Sequence, residues 1–206
     1  MARSGARAAP KTENTQDRVL AAAIETLKRQ GYAGTSAREI AKTGGFAQGV
    51  VFYYFGGMTE LLVAALDATS RERLARYEAA VADVGSLPEL VAVASAVFRE
   101  DLAAGHVKVL SELIAAASDI PELGPEITAR IRPWIDFTEA AITRVLGGSP
   151  VGQLVPARDA AFGIVALYLG LELLTQLDGD TAPATSLFAS ADALAQLLGP
   201  ALEPAS

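Results

Sequence analysis

Apolar residues recur along this chain at intervals of three and four, and glycines and prolines interrupt the recurrence often enough to delimit each helix. From Asn14 or Thr15, either a good cap, Val19, Leu20, Ala23, Ile24 and Leu27 share one face, and Gly31 follows as a stop. Thr35 and Ser36 offer a second cap for a helix of about two turns with Ala37, Ile40 and Ala41 on one side, ending at Gly44-Gly45. A third short helix is predicted from Ala47 to Tyr54, with Val50, Val51 and Tyr54 turned inward and Gln48, Gly49 and Tyr53 free; Phe52 and Phe55 read as core. Two short helices joined by a glycine-bearing turn form a helix-turn-helix, whose second helix enters the DNA major groove.

Longer helices follow, from about Thr59 to Val84, from Leu87 to Gly105 with Pro88 in the first turn, from Val107 to Ala117 and from Glu126 to Leu146. Gly147 to Pro150 reads as a loop, after which residues 157–177 and 184–198 form the last two helices. No segment alternates as a strand would and no fixed-period repeat occurs, so the predicted fold class is all-α. Three divisions result: a flexible basic arm over 1–13, a three-helix domain with the helix-turn-helix over 14–57, and a helical body over 58–206.

With 51% of its residues apolar, the chain can bury enough surface to offset the entropy of ordering. It has no cysteine and one histidine, which removes disulfides, thiolate chemistry and a dedicated transition-metal site. There is no glycine-rich phosphate loop and no nucleophile elbow, so neither an enzyme nor a cofactor is expected. The segment Met1 to Pro10 lacks the apolar core of a signal peptide, and the longest apolar run, near residues 160–174, is read as interrupted by Glu172; a cytoplasmic protein with no membrane partner is expected. The net charge of −7 divides unevenly, +4 over residues 1–57 and −11 over the remainder, as suits a DNA-facing module on an acidic body.

Residues 15–66 resemble the N-terminal domain of the tetracycline-repressor (TetR) family. The run from Gly31 to Ala41 is similar to its second-helix signature, and Gly45 to Phe55, ending Val51-Phe52-Tyr53-Tyr54-Phe55, is similar to its recognition helix. The resemblance implies a ligand-responsive repressor that binds a pseudo-palindromic DNA operator as a homodimer and is released by a small effector. It also makes the body a ligand-binding and dimerisation domain. Thr35, Ser36 and Arg38 then meet phosphate at the start of the second helix, Gln48 and Tyr53 reach bases or phosphate, Gly49 permits close approach, and Tyr54 donates to a phosphate.

Three positions depart from the family pattern: Ala47 and Val50 stand where polar residues are usual, and Met58 where a lysine commonly meets phosphate. Each lost phosphate contact weakens binding and flattens its salt dependence, and Arg3, Arg7 and Lys11 of the arm offer compensation. These departures sustain a rival reading, a helical small-molecule-binding or interaction protein with weak or lost DNA binding. One short recognition helix reads too few base pairs alone, so dimerisation is expected, through the last two helices. There Gly163, Ala166 and Gly170 form a small-residue stripe and Leu187, Ala191, Leu194 and Leu198 a matching face. For an apolar or amphipathic effector the candidate contacts are Phe98, Leu102, His106, Leu113, Trp134, Phe137, Thr138, Phe162, Tyr168 and Glu172. Among them Glu172 is a carboxylate in an apolar helix that needs a partner or a wet edge.

Overall fold

A computed structural model describes residues 14–202, and these form ten helices with no strand among the described residues. The N-terminal module comprises α1 (Thr15–Gln30), α2 (Ala37–Gly44) and α3 (Gly49–Phe55). Asn14 caps α1 by accepting from the Gln16 N–H at 3.3 Å, Lys28 and Arg29 complement the dipole in its last turn, and Gly31 ends it with φ 71°. Ser36 rather than Thr35 caps α2, accepting from the Glu39 N–H at 3.2 Å. Gly45, with φ 67°, occupies the left-handed region that the turn into α3 requires.

The body consists of α4 (Met58–Val81), α5 (Leu87–Ala104), α6 (His106–Ala116), α7 (Leu123–Leu146), α8 (Pro150–Leu154), α9 (Ala157–Asp178) and α10 (Ala182–Leu202). A full capping box between Ser86 and Glu89 starts α5, and Gly105 in the left-handed region separates it from α6. The predicted loop at Gly147 to Pro150 instead leads into the short α8, because Ser149 caps it from the Gly152 N–H and Pro150 takes its first position. Other ends shift by a few residues: α3 begins at Gly49, α4 ends at Val81 and α7 begins at Leu123.

Two cores result. Val19, Ala23, Ile40, Val51 and Leu61 close the N-terminal module, while Leu27, Leu62, Leu66, Val109, Leu113 and Ile127 close the body. Met58 packs against both. Met58 therefore joins module to body through apolar contact.

Along α4 the inward stripe changes character, from Leu62 and Leu66 to Thr69, Arg73 and Tyr77, all buried. α9 carries two opposite stripes. Ala161, Glu172 and Thr175 are buried on the inner one, whereas Phe162, Leu167, Leu174 and Leu177 are exposed. By length and composition α9 is apolar enough to cross a membrane, which corrects the expectation that Glu172 breaks the run, since one carboxylate leaves the rest of the helix apolar.

Candidate DNA interface and effector chamber

The candidate DNA-facing surface is built on an anchored pair of helices. Val51 and Ile40 are fully enclosed, and the hydroxyls of Thr26 and Thr43 lie 2.9 Å apart between α1 and the end of α2. Arg18 donates to the Gly44 carbonyl at 3.2 Å and Arg29 to the Thr43 hydroxyl at 3.1 Å, so α1 holds the turn that aims α3. With this brace, Ala47, Gln48 and Gly49 are exposed and Tyr53 is 82% exposed. A methyl group on Gly49 would meet nothing within 4 Å, so the glycine leaves clearance toward a ligand rather than toward the core.

Arg38 is exposed at the start of α2 and has no hydrogen bond or ion pair to the described residues. Ser36 is exposed too, but its oxygen already caps the helix. Thr35 donates its hydroxyl to the Gly31 carbonyl at 2.6 Å. Tyr54 stands at the module's edge with its ring set edge-on to Tyr53, centroids 5.0 Å apart. Phe52, read from sequence as core, is 45% exposed: in a seven-residue helix Val51 and Phe55 already fill the inward side, so Phe52 joins the reading face. The arm residues Arg3, Arg7 and Lys11 lie outside the described residues.

Within the body the polar stripe of α4 meets α5, α7 and α9. Arg73 donates from both Nε, at 3.1 Å, and a terminal nitrogen to the Asp101 carboxylate; Tyr168 adds its hydroxyl to Asp101 at 2.7 Å and Arg76 stands 3.6 Å away. Burial disfavours the Arg73 cation, but the hydrogen bonds and charge of Asp101 more than reverse this and hold it above its ordinary value. The guanidinium lies 5.0 Å from the Trp134 ring centroid and 5.8 Å from that of Tyr77. Trp134 in turn donates its indole N–H to Ser70 at 2.7 Å. Phe98 packs edge-on to Tyr168 and against Phe188, at 5.5 and 5.3 Å between centroids.

Glu172 is fully enclosed, and neither of its carboxylate oxygens has a hydrogen-bond partner. Burial and then the Asp101 charge push its carboxyl up to about 7, against the opposing charge of Arg73. A narrow crevice of about 20 Å³, lined by Thr69, Ser70, Arg73, Arg130, Ile131 and Trp134, touches the cluster at Arg73 and Trp134 from the side of α4 and α7.

Of the effector residues proposed from sequence, Phe98, Trp134, Tyr168 and Glu172 come together here. Leu113 is fully enclosed in the body core, Leu102 is half-buried, and Thr138 turns its hydroxyl to the Trp134 carbonyl. Phe137 borders a separate, open groove with Leu74, Glu78 and Pro133. Phe162 is 64% exposed on the outer face of α9 and does not join this cluster. α6 opens at His106, whose side chain lies outside the described residues. Sequence reasoning missed Arg73, Tyr77 and Asp101, although Asp101 falls three residues after Phe98 on the apolar stripe of α5.

A braced helix-turn-helix module is thus joined through a shared methionine to an all-helical body. Residues 19–65 match the model of the bacterial regulatory proteins, tetR family. The chain is 31% identical over 105 residues to an uncharacterized HTH-type transcriptional regulator of Mycobacterium tuberculosis, covering 51% of this chain and 54% of that one. It thus spans about half the length of the curated relatives of this type. Its fold is that of the fatty acid degradation regulator FadR from Bacillus halodurans, with TM-score 0.70, 17% identity and coverage of 90% and 96% of the two chains. It is also that of the multidrug binding protein EbrR solved with imidazole, with TM-score 0.65, 23% identity and coverage of 94% and 98%. The similarity to the tetR family is carried by residues 19–65, the helix-turn-helix module and the start of α4.

Proposed function

We propose that this protein is a ligand-responsive transcriptional repressor, binding a pseudo-palindromic operator in the cytoplasm as a homodimer and released by a small effector. The observation that carries the reading is the surface of α3. Gln48, Gly49, Phe52 and Tyr53 are exposed together on a helix whose other side is locked by Val51, beside an unengaged Arg38. Gln48 can pair with base edges, Arg38 can meet phosphate or guanine, and Phe52 offers an apolar surface to a thymine methyl.

Dimerisation is supported by the outer stripe of α9. Gly163, Leu167, Gly170, Leu174 and Leu177 follow one another at alternating steps of four and three residues, and a methyl on either glycine would meet nothing within 4 Å. Leu187 and Leu194 are likewise exposed on α10. Paired with a second copy, these helices form a four-helix bundle. An effector acts by favouring a dimer whose recognition helices no longer match successive grooves.

Footprinting of the purified protein on the DNA flanking its own gene tests the reading. The expected result is one protected palindrome at moderate salt, with at least about tenfold weaker binding on Tyr53→Ala or Arg38→Ala. Absence of any protected site would favour the second reading, a helical small-molecule-binding protein with lost DNA binding. That reading rests on Met58, which is packed between the two cores and adds no charge beside the recognition helix.

A further inference from the structure

Two carboxylates, Asp101 and Glu172, are buried in the body, and among the described residues Arg73 is the only cation buried with them. Asp101 takes two N–H groups of Arg73, the Tyr168 hydroxyl and the nearby Arg76, while the enclosed Tyr77 hydroxyl has no partner. Tyr168 has one hydroxyl proton and spends it on Asp101, so toward Glu172 it can only accept. Glu172 is left with both oxygens enclosed and unpartnered. An ionised carboxylate in that state is strongly disfavoured, so the empty protein resolves the deficit by keeping a proton there, in line with a carboxyl raised to about 7.

The surroundings specify what would replace that proton. Tyr77, Trp134, Phe98 and Tyr168 line the cluster, and Arg73 already lies over the rings of Trp134 and Tyr77. Ring faces beside an unpaired carboxylate attract a cation and offer nothing to an anion. The narrow crevice along Thr69, Ser70, Arg73, Arg130 and Trp134 meets this stack at Trp134 without reaching Glu172, so a ligand must part α4 and α7 and pass the two guanidiniums to reach it.

We propose that the effector carries a cationic nitrogen, an ammonium or amidinium on an apolar or aromatic frame, and that Glu172 is its counter-ion. The inference rests on the ligand-responsive reading above and narrows it. As the cation arrives the Glu172 proton leaves to solvent, so two carboxylates then face two cations and the buried charge balances.

The test uses the full chain and alkyl and arylalkyl ammonium ions of increasing length, each with its alcohol and carboxylate counterpart. Binding is read from the fluorescence of Trp134, the only tryptophan. The expected result is that ammonium ions bind at least about tenfold more tightly than their counterparts, more tightly at pH 8 than at pH 6, and that Glu172→Gln abolishes the preference while remaining folded by its melting temperature. Equal binding of alcohols or carboxylates, a preference that survives in Glu172→Gln, or no response to any ammonium ion overturns the assignment. Operator release by the same probes separates the two readings. If a carboxylate or alcohol binds and releases DNA, the charge assignment falls and ligand control stands; if ammonium ions bind through Glu172 and no probe changes operator affinity, the binding site stands and ligand control falls.

Discussion

The Glu112 carboxylate on α6 accepts a hydrogen bond from the Tyr32 backbone N–H at 2.7 Å, so an acid of the body closes the turn that follows α1 of the N-terminal module. Beside it, Lys28 donates to the Ala104 carbonyl at the end of α5, at 2.9 Å. Both contacts flank the Gly105 break, so a movement of α6 relative to α5 reaches the module directly. Glu112→Ala leaves a part-buried N–H without its partner, which costs about 1–2 kcal/mol. The melting temperature should fall by about 2–8 °C, whereas Glu112→Gln, which keeps an acceptor oxygen, should retain most of it. Calorimetry of the three proteins checks this.

Arg73 and Asp101 form a buried pair whose members depend on each other. Asp101→Asn leaves a guanidinium enclosed without a counter-charge, and the expected loss is about 3–5 kcal/mol. Replacing both, Arg73→Met with Asp101→Leu, should recover part of that loss, since neither charge then needs compensation. Denaturant unfolding of the single and double variants measures the coupling.

Leu174 and Leu177 are exposed on the outer stripe of α9. Changing both to arginine places charge on the proposed bundle seam, so the variant should elute as a monomer in light-scattering chromatography with its helical content unchanged. Its operator affinity should fall by at least about a hundredfold, because a single half-site is then read.

The Glu172 carboxyl, raised by burial and the Asp101 charge from 4.5 to about 7, binds a proton more tightly in the folded than in the unfolded chain. Its contribution is therefore present in full below pH 4.5 and is lost as the pH rises through 7, by an amount on the order of 3 kcal/mol. Glu172→Gln should abolish this component and be the more stable protein at pH 8. Melting temperatures of both proteins between pH 5 and pH 8 give the sign.

The DNA module was legible because its signals are local. Ser36 and the run of Ala37, Ile40 and Ala41 define α2 without reference to anything distant, and Gly45 fixes the turn through its backbone conformation. Phe52 was misassigned because an aromatic in a run of aromatics looks like core, whereas a seven-residue helix has room for few inward positions and Val51 and Phe55 take them. At α8 the local signal was present, a serine before a proline, and the two glycines ahead of it obscured it.

By itself the sequence determined the all-helical class, the helix-turn-helix and the small-residue stripe of Gly163, Ala166 and Gly170 on α9, since periodicity, caps and breaks act within a few residues. Only the tertiary structure decided that Arg73 meets Asp101 across 28 positions, that Tyr168 then has no proton left for Glu172, and that Phe162 faces outward. Those outcomes depend on how α4, α5, α7 and α9 are rotated against one another, and no local pattern encodes that rotation.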